Sequence, residues 1–172
     1  MAAGKRGKPA WLPVRGGCLI ALMQRVTSSS VTVDGDKIAE IGQGLMILVG
    51  VEKGDQAATA DKMAEKLLRY RVFADSEGKM NLSVLDIQGQ VLLVPQFTLA
   101  ADTGKGLRAS FSSAADPQQG RALFLQLVDI MRDKGSSICP DLPRDWLQTG
   151  QFGADMAVAL VNNGPVTFRL AV

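Results

Sequence analysis

Pro95, Gln96, Phe97 and Thr98 follow four large apolar residues, Val91 to Val94, and bring a ring, an amide, an aromatic face and a hydroxyl to one strand tip. An unbroken apolar run of this kind predicts a strand buried on both faces. Such strands normally end in Gly, Asn or Asp, so the cluster is either the floor of a site or an edge strand with Pro95 at a bulge. Thr98 offers its hydroxyl as a nucleophile or as a positioning group, and a nucleophile needs a base; Lys79 is the one lysine near it in sequence with that capacity. A second group, Asn162-Asn163-Gly164-Pro165-Val166-Thr167, lies between two strand-like runs. Its Gly164-Pro165 step is either a kink or a cis peptide that projects two backbone carbonyls as a rigid, stereoselective wall.

The chain contains no histidine. That removes Ser-His and Cys-His nucleophilic pairs, His-based zinc motifs and the usual general base near neutral pH. Proton handling falls to carboxylates, hydroxyls, backbone groups or the substrate itself. The two cysteines, Cys18 and Cys139, have no CxxC spacing or companion ligands, which argues against a metal site and for a reducing, cytoplasmic setting. No metal or cofactor is expected. With 19 Lys plus Arg against 17 Asp plus Glu, the net charge of +2 gives no general attraction for DNA or other polyanions. No apolar run reaches the roughly 20 residues that would span a bilayer, so no membrane partner is expected.

The elements that must position these residues read as one domain over residues 19–172, preceded by a flexible, basic extension over 1–18. Strands are predicted over Cys18–Val26, around Ser30–Asp34, over Lys37–Ile41 and over Leu45–Val51, with Asp34-Gly35 as a hairpin turn. Ala60, Met63, Ala64, Leu67 and Leu68 recur at helical spacing, with Asp55 or Thr59 available as the N-cap. Phe73–Met80 reads as a polar loop and Asn81–Ile87 as extended. Residues 100–115 are too long for a simple connection and read as functional or disordered; Lys105 and Arg108 there either reach a phosphate or stay solvated. Asp116-Pro117-Gln118-Gln119 predicts a helix start with a capping box, and Gly135 its end. Ala154–Val161 and Val166–Val172 close the chain as strands on either side of Gly164-Pro165. The order is four strands, helix, two strands, helix, two strands. It predicts an α+β fold: antiparallel β-sheets stacked in a barrel-like β/β/α arrangement, with two main helices on one side.

From Ile20 onward the chain resembles the D-aminoacyl-tRNA deacylase family. The resemblance rests on Gln24-Arg25-Val26, Gly78-Lys79-Met80-Asn81-Leu82, Gln96 to Thr103, Ser110-Phe111-Ser112, Phe152-Gly153-Ala154-Asp155-Met156 and Asn162 to Thr167, in the family's order. It implies a homodimer that hydrolyses the ester between a D-amino acid, or glycine, and the 3′-terminal adenosine of tRNA. Gln96, Phe97 and Thr98 would line the scissile ester, with backbone donors for an oxyanion hole. Gly164 and Pro165 would enter the partner's pocket as a cis-peptide filter against L side chains, and Arg25 would hold the partner's loop. Pro95, Met80 and Ala115 fall at further substrate-binding positions, Ala115 bordering the amino-acid end. The absent histidine agrees with chemistry that relies on backbone groups and the 2′-hydroxyl of the adenosine.

This chain departs from the pattern at Pro95, where the family usually has serine, and at Ala109, where proline is common. Its segment from Cys139 to Leu147 is longer than usual, and residues 1–18 precede the usual start. A related class that removes L-alanine from a wrong tRNA has proline at the first position but differs in the second motif. Three other readings therefore stand beside the first: a deacylase with relaxed preference that includes L-alanyl-tRNA, a catalytically silent RNA-binding relative, and a threonine-nucleophile esterase. With no basic stripe for a whole tRNA, contact is expected at the acceptor end.

Overall fold

Strand β1, Ile20–Val33, is the backbone of the sheet and pairs antiparallel with three others. The polar run Thr27 to Ser30 was expected to separate two strands, but β1 is continuous through it. Ser29 is buried there with its hydroxyl donating to the Ala159 carbonyl at 2.8 Å, which removes the reason for the chain to turn. Asp34 (φ 50°) and Gly35 (φ 87°) form the hairpin turn into β2, Asp36–Ile41. Strand β3, Gly44–Gly50, then pairs antiparallel with β1 and parallel with β6, Gln90–Pro95.

Both β3 and β6 are buried on two faces, and the two faces meet different cores. Leu45, Ile47, Val49, Val91 and Leu93 pack under helices α1 (Ala57–Arg69) and α2 (Pro117–Ile138), against Met63, Leu67, Phe124, Leu127 and Met131. Met46, Leu92 and Val94 face the other way, into a smaller cluster with Val26, Val31, Ala39 and Ile41. Period-2 alternation thus persists with both faces apolar, which is why the run Val91–Val94 carries no polar residue.

The α+β architecture is as expected, with three strands before α1, three between α1 and α2 and two after α2. Strands β4 (Phe73–Ala74) and β5 (Met80–Leu82) form a separate two-stranded sheet. The main sheet is mixed: β3 pairs parallel with β6, and β6 with β7, Leu147–Thr149. Each parallel pair is joined by a crossover carrying α1 or α2, as parallel neighbours require. Strand β8, Ala157–Ala171, returns along β1 on both sides of Gly164-Pro165.

Two helix ends differ from the sequence expectation. Gln56, not Asp55 or Thr59, caps α1, with its N–H donating to Thr59 Oγ1 at 3.2 Å. Asp116 caps α2 as expected, accepting from Gln118 and Gln119 N–H at 3.0 Å, but the Gln119 amide donates to the Asp55 carbonyl instead of completing a capping box. Gly135 does not end α2. A Cβ at Gly135 would clash with the edge of the Trp146 indole, so this glycine is a packing residue, and α2 stops at Cys139 ahead of Pro140.

The computed structural model describes residues 18–104 and 106–172. The basic extension therefore lies outside the described residues except for Cys18, whose N–H donates to Glu52 Oε2 at 3.1 Å. Among the described residues, no helix is long and apolar enough to cross a membrane.

β2 and β7 stand at opposite ends of the strand order β2-β1-β3-β6-β7. The sheet curls until one side chain joins them: Glu40 N–H donates to Gln148 Oε1 at 2.9 Å and Gln148 Nε2 donates to the Glu40 carbonyl at 2.6 Å. The amide imitates a strand pairing at an edge that would otherwise be open. Gln148→Ala removes both bonds and should lower the unfolding free energy in urea by about 1–2 kcal/mol. An unchanged midpoint and slope would show that the clasp carries no stability.

Candidate active site

The floor of the site begins where β6 runs out of ladder partners. Pro95 stands opposite Val49, and Gln96 N–H donates to the Val49 carbonyl at 2.7 Å. The chain then tightens into a 3₁₀ turn, Phe97–Ala100, whose first bond is Leu99 N–H to the Gln96 carbonyl at 3.2 Å. Phe97 and Thr98 precede that bond, so their N–H groups have no acceptor within the turn. Of the three expected backbone donors, Gln96 is therefore committed to β3, and Phe97 and Thr98 remain. Gln96 Nε2 donates to Thr98 Oγ1 at 2.6 Å, which fixes the hydroxyl by an amide and not by a base. Lys79, the one nearby lysine that could have served as a base, pairs with Glu77 at 2.8 Å on the exposed β4–β5 hairpin.

One wall is the segment that leads into α2. Ala115 N–H donates to the Val51 carbonyl at 3.0 Å, and Lys53 N–H to the Ser113 carbonyl at 2.9 Å, so the end of β3 carries this segment. The facing wall is the loop Phe152–Met156, turned by Gly153 at φ 81° and held by Gln151 N–H against Met156 Sδ at 3.3 Å. Between floor and walls lies a cavity of about 450 Å³. Its lining includes Pro95, Gln96, Phe97 and Ala115 from the expected set, and Phe152, Gly153, Asp155, Met156, Asp116 and Pro117 besides. The lining is mainly apolar and its only charged residues are Asp116 and Asp155. Among the described residues, no group of three or more His, Cys, Asp or Glu side chains is placed to hold a metal ion.

The other expected site residues do not line this cavity. Thr98 is exposed beside the floor, linked to it through Gln96. Met80 is exposed at the start of β5, on a turn organised by Asp75, which accepts from Glu77 and Lys79 N–H and from the Asn81 amide. These bonds, that of Asn81 foremost, hold the Asp75 carboxyl below its ordinary pKa. Gly164 and Pro165 are exposed in a four-residue excursion of β8: Gln24 pairs with Thr167 and Val26 with Asn162, leaving residues 163–166 looped out opposite Arg25. The Gly164-Pro165 peptide is cis. Asn162 closes the base of the loop, its Oδ1 accepting from Val166 N–H at 2.8 Å and its Nδ2 donating to Thr167 Oγ1 at 2.9 Å. Arg25 was expected to hold a partner's loop. Within this chain it fastens its own, donating from Nε to the Asn163 carbonyl at 3.0 Å and from Nη1 to the Val72 carbonyl at 2.5 Å.

The fold and cleft define a barrel-like α+β protein whose site is built from backbone amides and apolar walls without a protein imidazole. The chain belongs to the D-Tyr-tRNA(Tyr) deacylase family, whose sequence signature matches residues 22–171. It is 54% identical over 152 residues to a D-aminoacyl-tRNA deacylase of Methylococcus capsulatus, covering 88% of this chain and 94% of that one. A D-aminoacyl-tRNA deacylase of Xanthomonas oryzae pv. oryzae is 53% identical over 152 residues, with 88% and 99% covered. The solved structure of a c-Myc DNA Unwinding Element Binding Protein is similar with a TM-score of 0.80 and 36% identity, over 88% of this chain and 97% of that one. A probable eukaryotic D-amino acid tRNA deacylase shares the fold, with a TM-score of 0.77 at 16% identity.

Asp55 lies directly behind the Ser113–Ala115 wall. It is buried, its Oδ2 accepts from Glu52 N–H at 2.8 Å, and its Oδ1 has no partner among the described residues. Burial is the main reason its carboxyl is pushed up to about 6, with the nearby Glu52 charge adding to the effect. The folded chain thus binds this proton more tightly than the unfolded chain. Asp55 weakens the fold at neutral pH, and that cost is relieved as pH falls through 6 toward 4. Asp55→Asn should compare best with the parent at pH 7 and lose that advantage by about pH 4 in paired unfolding titrations. A difference that does not change with pH would mean Asp55 titrates normally.

Proposed function

We propose that the protein hydrolyses the ester joining a D-amino acid, or glycine on a non-cognate tRNA, to the 3′-terminal adenosine of tRNA, acting as a chiral proofreading enzyme in the cytoplasm. The observation that carries this reading is the floor from Pro95 to Thr98. It offers two adjacent N–H groups without acceptors in their turn, at the edge of an apolar cavity, in a chain of this family.

In this reading the terminal nucleoside enters the cavity and the ester carbonyl lies over the floor. A water oxygen attacks the carbonyl carbon, and the N–H groups of Phe97 and Thr98 stabilise the developing oxyanion. Collapse expels the 3′-oxygen, and the neighbouring 2′-hydroxyl relays the proton that a protein histidine would otherwise carry. Thr98 positions; its hydroxyl is engaged by Gln96 and has no base. Pro95 supplies no donor, and the Gln96 N–H is already spent on Val49, so a serine at position 95 is not required for this pair of donors.

The filter is the exposed loop around Gly164-Pro165. It does not line its own chain's cavity, so its action against L side chains requires a second subunit, and the working unit is a homodimer. A rigid wall that rejects one enantiomer leaves the accepted side chains free to vary.

The deciding measurement is the deacylation of matched D-tyrosyl-, glycyl-, L-tyrosyl- and L-alanyl-tRNA. Cleavage of the first two alone is the expected result. Cleavage of L-alanyl-tRNA would establish the relaxed reading, and no turnover the silent RNA-binding one. Thr98→Ala should keep kcat within about tenfold of the parent, whereas a covalent threonine would lose roughly 10⁴-fold or more. A Cβ at Gly164 (φ 130°) would meet Arg25 Nη2 at 2.8 Å and Val166 Cγ2 at 2.9 Å. Gly164→Ala should therefore displace the loop and lower the D-to-L ratio of kcat/KM by about tenfold or more; an unchanged ratio would remove the loop from the filter.

A further inference from the structure

Eight large apolar side chains are exposed among the described residues, and three of them, Phe97, Leu107 and Phe111, fall within one stretch of the chain. Phe97 belongs to the cavity lining, yet 58% of its surface remains exposed. Phe111 does not line the cavity. Its ring stands 5.2 Å from that of Phe97 and is tilted 51° to it, and the residue is 46% exposed. The tilt leaves a free face on Phe111 that Phe97 does not cover.

This ring is held in place by its backbone. Asp102 and Ser110 exchange two hydrogen bonds of 2.7 and 3.0 Å, Ala114 N–H donates to the Phe111 carbonyl at 3.1 Å, and Ser113 Oγ donates to the Ala100 carbonyl. The loop from Asp102 to Ser110 is therefore closed at its base, and Phe111 leaves that base at a fixed point. Arg108, three residues earlier, is exposed and forms no ion pair among the described residues. The cavity itself carries only acidic charge, from Asp116 and Asp155. A flat apolar face with a free cation nearby, outside an apolar pocket, is the combination that holds unpaired nucleotides: base on ring, phosphate near guanidinium.

We propose that Phe111 is a stacking platform for the base of the nucleotide that precedes the terminal adenosine, so that the enzyme grips the single-stranded end of its substrate outside the catalytic cavity. The proposal rests on the RNA-ester substrate argued above. It assigns the occupant as RNA, because the exposed ring and the cation of Arg108, three residues apart in the chain, both belong to exposed residues outside the cavity lining, whereas the aminoacyl group is bounded by the Ala115 wall and the partner's loop.

The test compares two esters, D-tyrosyl-adenosine and D-tyrosyl-CpCpA, on the parent protein, Phe111→Ala and Phe111→Tyr. The parent should bind the trinucleotide ester more tightly than the nucleoside ester. Phe111→Ala should raise KM for the trinucleotide ester by about tenfold, within the range of one base–aromatic stack, while KM for the nucleoside ester stays the same; Phe111→Tyr should restore the parent value. An equal rise for both esters would place Phe111 at the aminoacyl group or in the fold, and no rise would leave it without a role; either overturns the proposal. A second readout needs no turnover: pyrrolocytosine in the middle position of uncharged CpCpA should change its fluorescence on binding to the parent and not to Phe111→Ala. The same change in both proteins would also overturn the proposal. Failure of the parent to cleave D-tyrosyl-adenosine, with the fluorescence difference intact, would instead count against the hydrolase reading alone.

Discussion

One hydrogen bond sets the position of everything that follows: Gln96 N–H to the Val49 carbonyl at 2.7 Å, the last link between β6 and β3. Up to that point β6 is a central strand, and its side chains are consumed by two cores. Beyond it the chain has no parallel neighbour to follow, and Pro95 has already removed one donor from the ladder. A 3₁₀ turn is the short solution, and it leaves its first two N–H groups without acceptors in the turn. The chain leaving β3 then binds the Ser113–Ala115 wall, through the Val51 carbonyl and the Lys53 N–H. Floor and wall are thus fastened to alternate residues, Val49, Val51 and Lys53, at and just beyond the end of one buried strand. Their relative position depends on core packing more than on the loops that carry them.

The second functional element is built on a different principle. Apart from Val166, which packs against the main core, the Gly164-Pro165 loop is tied and not packed. Asn162 bridges its base through both amide atoms, and Arg25 spans from the loop's Asn163 to Val72 near the start of β4. Polar ties suit an element that must stand in solvent until something covers it, because an apolar loop of the same shape would fold back onto the surface. They also make Arg25 a structural residue within one chain. Any further contact of its guanidinium with a second subunit would add to these bonds, since the first two donors are already spent.

The sequence was most legible where burial and pattern agree. Val91–Val94 declared a strand buried on both faces because no polar residue interrupts it, and the Asp34-Gly35 turn and the Asp116-Pro117 helix start carry unambiguous local signals. It was least legible where a side chain has a partner distant in the chain. Ser29 looked like a break because its bond to Ala159 lies across the sheet; Gly135 looked like a stop because the indole of Trp146 that fills its place is brought there only by the fold. The site shows the same division. Pro95, Gln96, Phe97 and Ala115, which the family resemblance had assigned to substrate, line one cavity. The loop Phe152–Met156 was visible as a motif, but nothing in its own composition says that it faces β6, and Asp116-Pro117 was read for the helix it starts and not for the cavity it borders.

Charge decides what kind of ligand this architecture can admit. The cavity is apolar with two carboxylates on its lining and no basic residue, and the chain as a whole is nearly neutral. Moving a phosphodiester into such a cleft would set its charge against Asp116 and Asp155 in a medium of reduced dielectric, with no cation to offset the lost hydration. The same two carboxylates would attract an ammonium group, so the lining opposes a phosphodiester and favours a neutral or cationic group. In the reading proposed above, that contrast would let a polynucleotide present its terminus and leave its phosphates at the mouth, with stereochemistry set by the Gly164-Pro165 loop outside the cavity.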